Sequence, residues 1–86
     1  MNRNEVYEVI NAERDYQDRR FPAINGVSAS PEGFLYIVEE LLGQARTKWV
    51  GTDTPKDKEV ALDFLRKIAA TGVRAMEQHG AVKRNV

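Results

Sequence analysis

The 86-residue chain contains no cysteine. Disulfide scaffolds, thiolate zinc sites and thiol nucleophiles are therefore excluded. No apolar run approaches the ~18 residues of a membrane span, and the first turns of the chain are charged throughout. Neither a transmembrane segment nor a signal peptide is expected, and the chain reads as cytoplasmic. It has no glycine-rich phosphate loop, no GxSxG elbow, no HExxH pair and no calcium loop. Histidine is nearly absent too, and the single His79 falls where a helix pattern ends, a place that suits a surface residue better than a catalyst. Nor is there an excess of one charge. Thirteen Lys/Arg meet thirteen Asp/Glu, so nothing pulls the whole chain toward nucleic acid or an acidic membrane. A helix-turn-helix reader would need a more basic recognition helix, and DNA is not expected as a partner.

What is present is a soluble, helix-forming composition, 42% apolar and 30% charged. A single small domain over residues 1–80, followed by a short basic tail at 81–86, is expected. A chain this short buries only about 60–65% of its unfolded surface, so its own core is marginal. The charges segregate. Residues 66–86 carry Arg66, Lys67, Arg74, Lys83 and Arg84 against Glu77 alone, whereas residues 32–65 are mostly acidic. An acidic middle followed by a basic end favours self-association or a local anion site over a general nucleic-acid surface.

Three helices are predicted. The first runs from about Asn4 to Arg20, with Val6, Val9, Ile10 and Tyr16 on one stripe and Glu13 on the same stripe. An acid on an apolar stripe is costly unless paired, which marks Glu13. Pro22 and the Asn25-Gly26 pair then break the pattern. Phe21, Ile24 and Val27 in this segment form either a plain loop or a lid. Ser30-Pro31 has the chemistry of a helix start, and an apolar face of Phe34, Val38, Leu41, Ala45 and Trp49 follows. Thr54-Pro55-Lys56-Asp57 starts the third helix, and Gly80 stops it just after His79. Its apolar arc includes Leu62, Phe64, Leu65, Ile68, Ala69, Gly72 and Met76, and is wider than one neighbouring helix can cover. Self-association would cover the remainder.

Opposite that arc the third helix carries Asp63, Arg66, Lys67, Arg74 and Glu77. These residues form either a solvated face with ion pairs such as Asp63–Lys67, or an anion site. Three cations within three turns suit phosphate oxygens, to which guanidinium groups bind in bidentate fashion. The candidate ligand-binding residues are therefore Arg66, Lys67 and Arg74, with Glu13 and Tyr16 from the first helix, Tyr16 offering a ring on which a base can stack.

Three stretches together resemble a known group: Glu13-Arg14-Asp15-Tyr16-Gln17-Asp18, the run Phe34 to Leu42 with its Glu39-Glu40 pair, and the run Leu65 to Glu77. In order and spacing they resemble small bacteriophage proteins of the MazG-like, all-α nucleotide pyrophosphohydrolase group. That resemblance implies a nucleotide ligand and Mg²⁺ held by acids on two helices, with Glu39 and Glu40 as the metal ligands of an active member. The chain departs from the group where it matters for chemistry. Gly43 stands where the next acid is expected, and Phe64 and Lys67 stand where acids should recur on the third helix.

The expectation is thus an all-α, three-helix domain with two long antiparallel helices, assembled as a helical homo-oligomer. It would bind a nucleotide-like small molecule without turning it over and without a cofactor, in the manner of a phage sponge that sequesters a nucleotide immune signal in the cytoplasm of a bacterial host. Two alternatives stand beside it: a Mg²⁺-dependent nucleotide pyrophosphohydrolase, and a ligand-free protein that binds and inhibits a host protein.

Overall fold

A computed structural model describes residues 1–23, 26, 28–49, 51 and 55–85. Three α-helices make up its regular structure: α1 (Arg3–Arg20), α2 (Pro31–Lys48) and α3 (Pro55–His79). No strand occurs among the described residues, so the chain is all-α as expected. None of its helices is long and apolar enough to cross a membrane, among the described residues.

Local chemistry sets the helix ends. Asn2 caps α1 by accepting from the Glu5 amide at 2.9 Å, while the Glu5 carboxylate accepts from the Asn2 amide at 3.2 Å. This reciprocal box starts the helix one residue earlier than the apolar pattern suggests. Ser30 caps α2 as predicted, its Oγ accepting from the Gly33 amide at 3.0 Å, with Pro31 in the first turn. Gly80 ends α3 at φ +99°, a left-handed conformation that glycine adopts without strain. Gly26 is likewise at φ +78°, as a turn there requires. Asn25 of that turn, Ile24 and Val27 of the possible lid, and the proposed cap Thr54 lie outside the described residues.

α3 is the spine. α1 packs on one side of it and α2 on another, and α1 and α2 do not touch each other among the described residues. The start of α2 meets the end of α3, where His79 Nε2 lies 2.6 Å from the Ala29 carbonyl oxygen and its ring stands edge-on to Phe34. At the other end of α2, the Lys48 ammonium stands 5.5 Å from the centre of the Phe64 ring. Among the described residues, Phe34, Phe64 and Ala70 are the buried apolar ones.

The two interfaces differ in kind. α2 covers α3 with an apolar face on which Phe34 is buried and Val38, Leu41 and Ala45 are half-buried. α1 instead buries Arg14 and Gln17, while Val6, Val9 and Tyr16 of its apolar stripe stay largely exposed. The reason lies on α3, whose polar stripe is the surface against which α1 docks: Arg14 pairs with Glu77, and Arg66 pairs with Glu13. A polar stripe that reads as solvent-facing is here an interhelical contact.

The result is an open arrangement. The radius of gyration is 14.3 Å, against about 12 Å for a closely packed domain of this length.

Candidate functional site

The first heptad of chemistry on α1 is Val9, Ala12, Glu13 and Tyr16, at i, i+3, i+4 and i+7, which is one helix face. On α3, Asp63, Arg66 and Lys67 sit at i, i+3 and i+4, again one face. The packing of α1 on α3 brings these two faces together around an open cleft of about 530 Å³. Four of the five residues singled out as ligand-binding therefore line one cavity: Glu13, Tyr16, Arg66 and Lys67.

Its electrostatics are mixed. The Glu13 side chain is 11% exposed and accepts from Arg66 Nε at 2.8 Å. Arg66 also donates through Nη2 to Asp63 at 2.6 Å, and Lys67 Nζ lies 3.1 Å from the other Asp63 oxygen. The Lys67 ammonium in addition sits 4.7 Å from the centre of the Phe64 ring, a cation–π contact. Hydrogen bonding to Glu13 holds the Arg66 guanidinium above its ordinary pKa, against burial and with help from Asp63. Burial works against the charged form of Asp63, but hydrogen bonds from Arg66 and Lys67 outweigh it and hold the carboxyl below its ordinary value. Two acids and two bases thus balance within the cleft. A ligand phosphate must compete with Asp63 for Lys67 and Arg66.

Chemically, the cleft sets two cationic donors, Arg66 and Lys67, beside two carboxylate acceptors, Glu13 and Asp63, and the half-exposed Tyr16 ring.

Arg74 does not join this cleft. Two turns further along α3 it is 7% exposed, and its Nη2 donates to the Phe21 carbonyl oxygen at the C-terminal end of α1. Its Nε is buried with no partner, and among the described residues no carboxylate pairs with it. Around it lies a polar cluster whose role spacing did not reveal: Arg14, Gln17, Thr71 and Arg74 are all buried. Arg14 donates through Nε to Glu77 at 2.9 Å, bonds Gln17 at 3.3 Å and pairs with Asp18 at 3.1 Å. Burial disfavours the charged Arg14, yet its bonds to Glu77 and Asp18 prevail and raise its pKa. The signal for this cluster was the Arg14–Gln17–Phe21 spacing of i, i+3, i+7, which is a stripe of its own.

The acids of a magnesium centre do not converge. Glu39 and Glu40 are exposed on α2, which makes no contact with α1, while Glu13 is paired with Arg66. Among the described residues no three His, Asp or Glu side chains stand together as a metal-binding group. Among the described residues the donor set therefore does not fit the Mg²⁺ site that the resemblance implies.

Comparison with protein-family models, with characterised proteins and with solved structures gives no match for this chain.

Proposed function

We propose that the protein binds a nucleotide-like small molecule in the α1–α3 cleft and does not turn it over. One observation carries this reading: Glu13 and Tyr16 meet Arg66 and Lys67 in a single cleft, although the two pairs lie some fifty residues apart in the chain. In this reading phosphate oxygens take Arg66 and Lys67 from Asp63, and the base lies on Tyr16. Both acids of the cleft, Glu13 and Asp63, are paired with its cations, and among the described residues no group of three acids stands there to hold a metal, which favours sequestration over hydrolysis. A phage sponge for a nucleotide signal of bacterial immunity, acting in the host cytoplasm, is the biological form of this proposal. It rests on analogy and on the chemistry of the cleft.

The structural frame belongs to the same proposal. α2 and α3 form a long antiparallel pair, read from the contacts at their opposite ends, and the chain works as a homo-oligomer. The exposed apolar residues of α3 favour a second reading, in which the protein acts by binding a host protein and holds no ligand.

A thermal-shift panel of nucleotides and cyclic dinucleotides, with mass analysis of the recovered ligand, separates these readings. A nucleotide that raises the melting temperature and is recovered intact supports sequestration. Release of phosphate or pyrophosphate supports the enzyme. No shift with any nucleotide at saturating concentration supports the interaction protein.

A further inference from the structure

α3 carries two stripes with the 3-4 spacing of a coiled-coil seam. The inner one, which includes Val60, Phe64, Thr71 and Arg74, faces α1 and α2. The outer one is Leu62, Leu65, Ala69, Gly72 and Met76, of which Leu62, Leu65 and Met76 are exposed and Ala69 and Gly72 are half-buried. Leu62 is 66% exposed and Leu65 58% exposed, and a Cβ built on Gly72 meets nothing within 4 Å. Beside the first half of this stripe, Val9 and Ile10 of α1 raise a second apolar wall, so that Leu62, Leu65 and Ala69 line a groove of about 860 Å³.

The exposed area says how much must be covered. The chain exposes 6975 Å², whereas a folded monomer of 9.8 kDa exposes about 5,200 Å². The excess, about 1,800 Å² spread over the whole chain, exceeds the ~800 Å² per partner of a standard interface, so the exposed surface suffices for a stable dimer.

We infer that the occupant of this groove is the α3 helix of a second copy, packed antiparallel about a two-fold axis that passes near Ala69. This inference rests on the self-association in the reading above and is independent of any nucleotide. The stripe is self-complementary in size only in this sense. Its bulky residues Leu62 and Leu65 lie toward the N-terminal end, the flat Ala69 and Gly72 follow, and Met76 closes the stripe. About an axis at Ala69, an antiparallel partner sets Leu65 beside Gly72 and Leu62 against Met76 of the other chain, on both sides of a close Ala69–Ala69 contact. A parallel partner sets glycine against glycine and leaves a void, which close packing disfavours. An isologous interface needs one surface to supply both halves, and this surface does. Opposed helix dipoles add a small favourable term.

The absence of cysteine provides the test. Single variants Ala69→Cys and Gly72→Cys on the outer stripe, and Leu35→Cys on the exposed face of α2, are oxidised mildly and their masses read on a non-reducing gel. In parallel, light scattering reads the parent and Leu65→Asp at micromolar concentration, with far-UV circular dichroism to check folding. Leu65 is exposed in the single chain, so the aspartate leaves the protomer helical. The inference expects a parent of at least twice the chain mass, covalent dimers from Ala69→Cys but not from Gly72→Cys, whose partner cysteine is offset by six residues, about 9 Å, along the antiparallel pair, and a Leu65→Asp variant whose self-association is at least tenfold weaker. Dimers from Gly72→Cys as abundant as those from Ala69→Cys mean a parallel pair and overturn the antiparallel arrangement. A parent oligomer that persists in Leu65→Asp and crosslinks only through Leu35→Cys overturns the groove as the seam and leaves self-association standing. A monomeric parent overturns both. Neither outcome bears on nucleotide binding, which is measured separately.

Discussion

Arg66 on α3 reaches across to Glu13 on α1 and donates to its carboxylate at 2.8 Å. The pair joins two helices that are otherwise held by Arg14 and Glu77 near the far end of their contact. It also forms the floor of the proposed ligand cleft, so one ion pair bears on both packing and binding. Glu13→Gln keeps the shape and removes the charge. Its expected cost is about 1–2 kcal/mol, because Arg66 keeps Asp63 but loses its better-buried partner. Urea denaturation checks this, with an unchanged slope and a lower midpoint as the expected result.

Asp63→Asn is expected to act in opposite directions on folding and binding. The native carboxyl is held below its ordinary value of 3.8. The unfolded chain therefore binds more protons in the window just below that value, and stability falls as pH drops through it. Above about pH 5 the contribution is fully present. With its side chain 42% exposed, solvent screening keeps it small. Asp63→Asn should flatten the acid arm of the stability–pH curve. The same change frees Lys67 and part of Arg66, so a phosphate-bearing ligand should bind the variant several-fold tighter. Unfolding midpoints between pH 2.5 and 5, with a binding titration at pH 7, check both halves.

Arg74→Met tests what a buried guanidinium contributes. Arg74 has one bond, to the Phe21 carbonyl oxygen, and a bare Nε. Removing a poorly satisfied buried charge in favour of an apolar chain of similar length is expected to change stability by less than about 1 kcal/mol in either direction. A loss of several kcal/mol in the melting analysis contradicts the assignment of a poorly satisfied group. Ligand affinity in this variant also reports whether Arg74 takes part in binding from outside the cleft.

Ser30→Ala removes the oxygen that caps α2. The expected loss is about 1 kcal/mol. Thermal unfolding should register it as a melting temperature some 4–8 °C lower in a chain of this size.

Helix starts and stops were legible where side chains carry the information locally. Ser30-Pro31 and Gly80 act within one turn of themselves. The Asn2–Glu5 box was as legible in principle, but it precedes the first apolar residue, from which periodicity is counted. The open outer stripe of α3 followed from its width alone, since an arc near a half-turn exceeds what one helix covers. The polar contact of α1 with α3 was not legible. Hydropathy identifies a buried face by contrast with its polar surroundings, and Arg14, Gln17, Arg66 and Glu77 offer no such contrast. Each half of the cleft was visible as a stripe, Glu13 with Tyr16 and Arg66 with Lys67. Their meeting depends on which helix packs on which, and that is a tertiary property.

Titration calorimetry of the nucleotide identified by thermal shift, against the parent, Arg66→Ala, Lys67→Ala and Asp63→Asn, tests the central claim most directly. The account predicts saturable binding to the parent with the nucleotide recovered unchanged. It predicts affinity about ten- to a hundredfold weaker in Arg66→Ala and Lys67→Ala, since a charge-assisted bond contributes roughly 1.5–3 kcal/mol, and tighter binding in Asp63→Asn. Absence of binding by any nucleotide, or equal affinity in the parent and both cation variants, contradicts it.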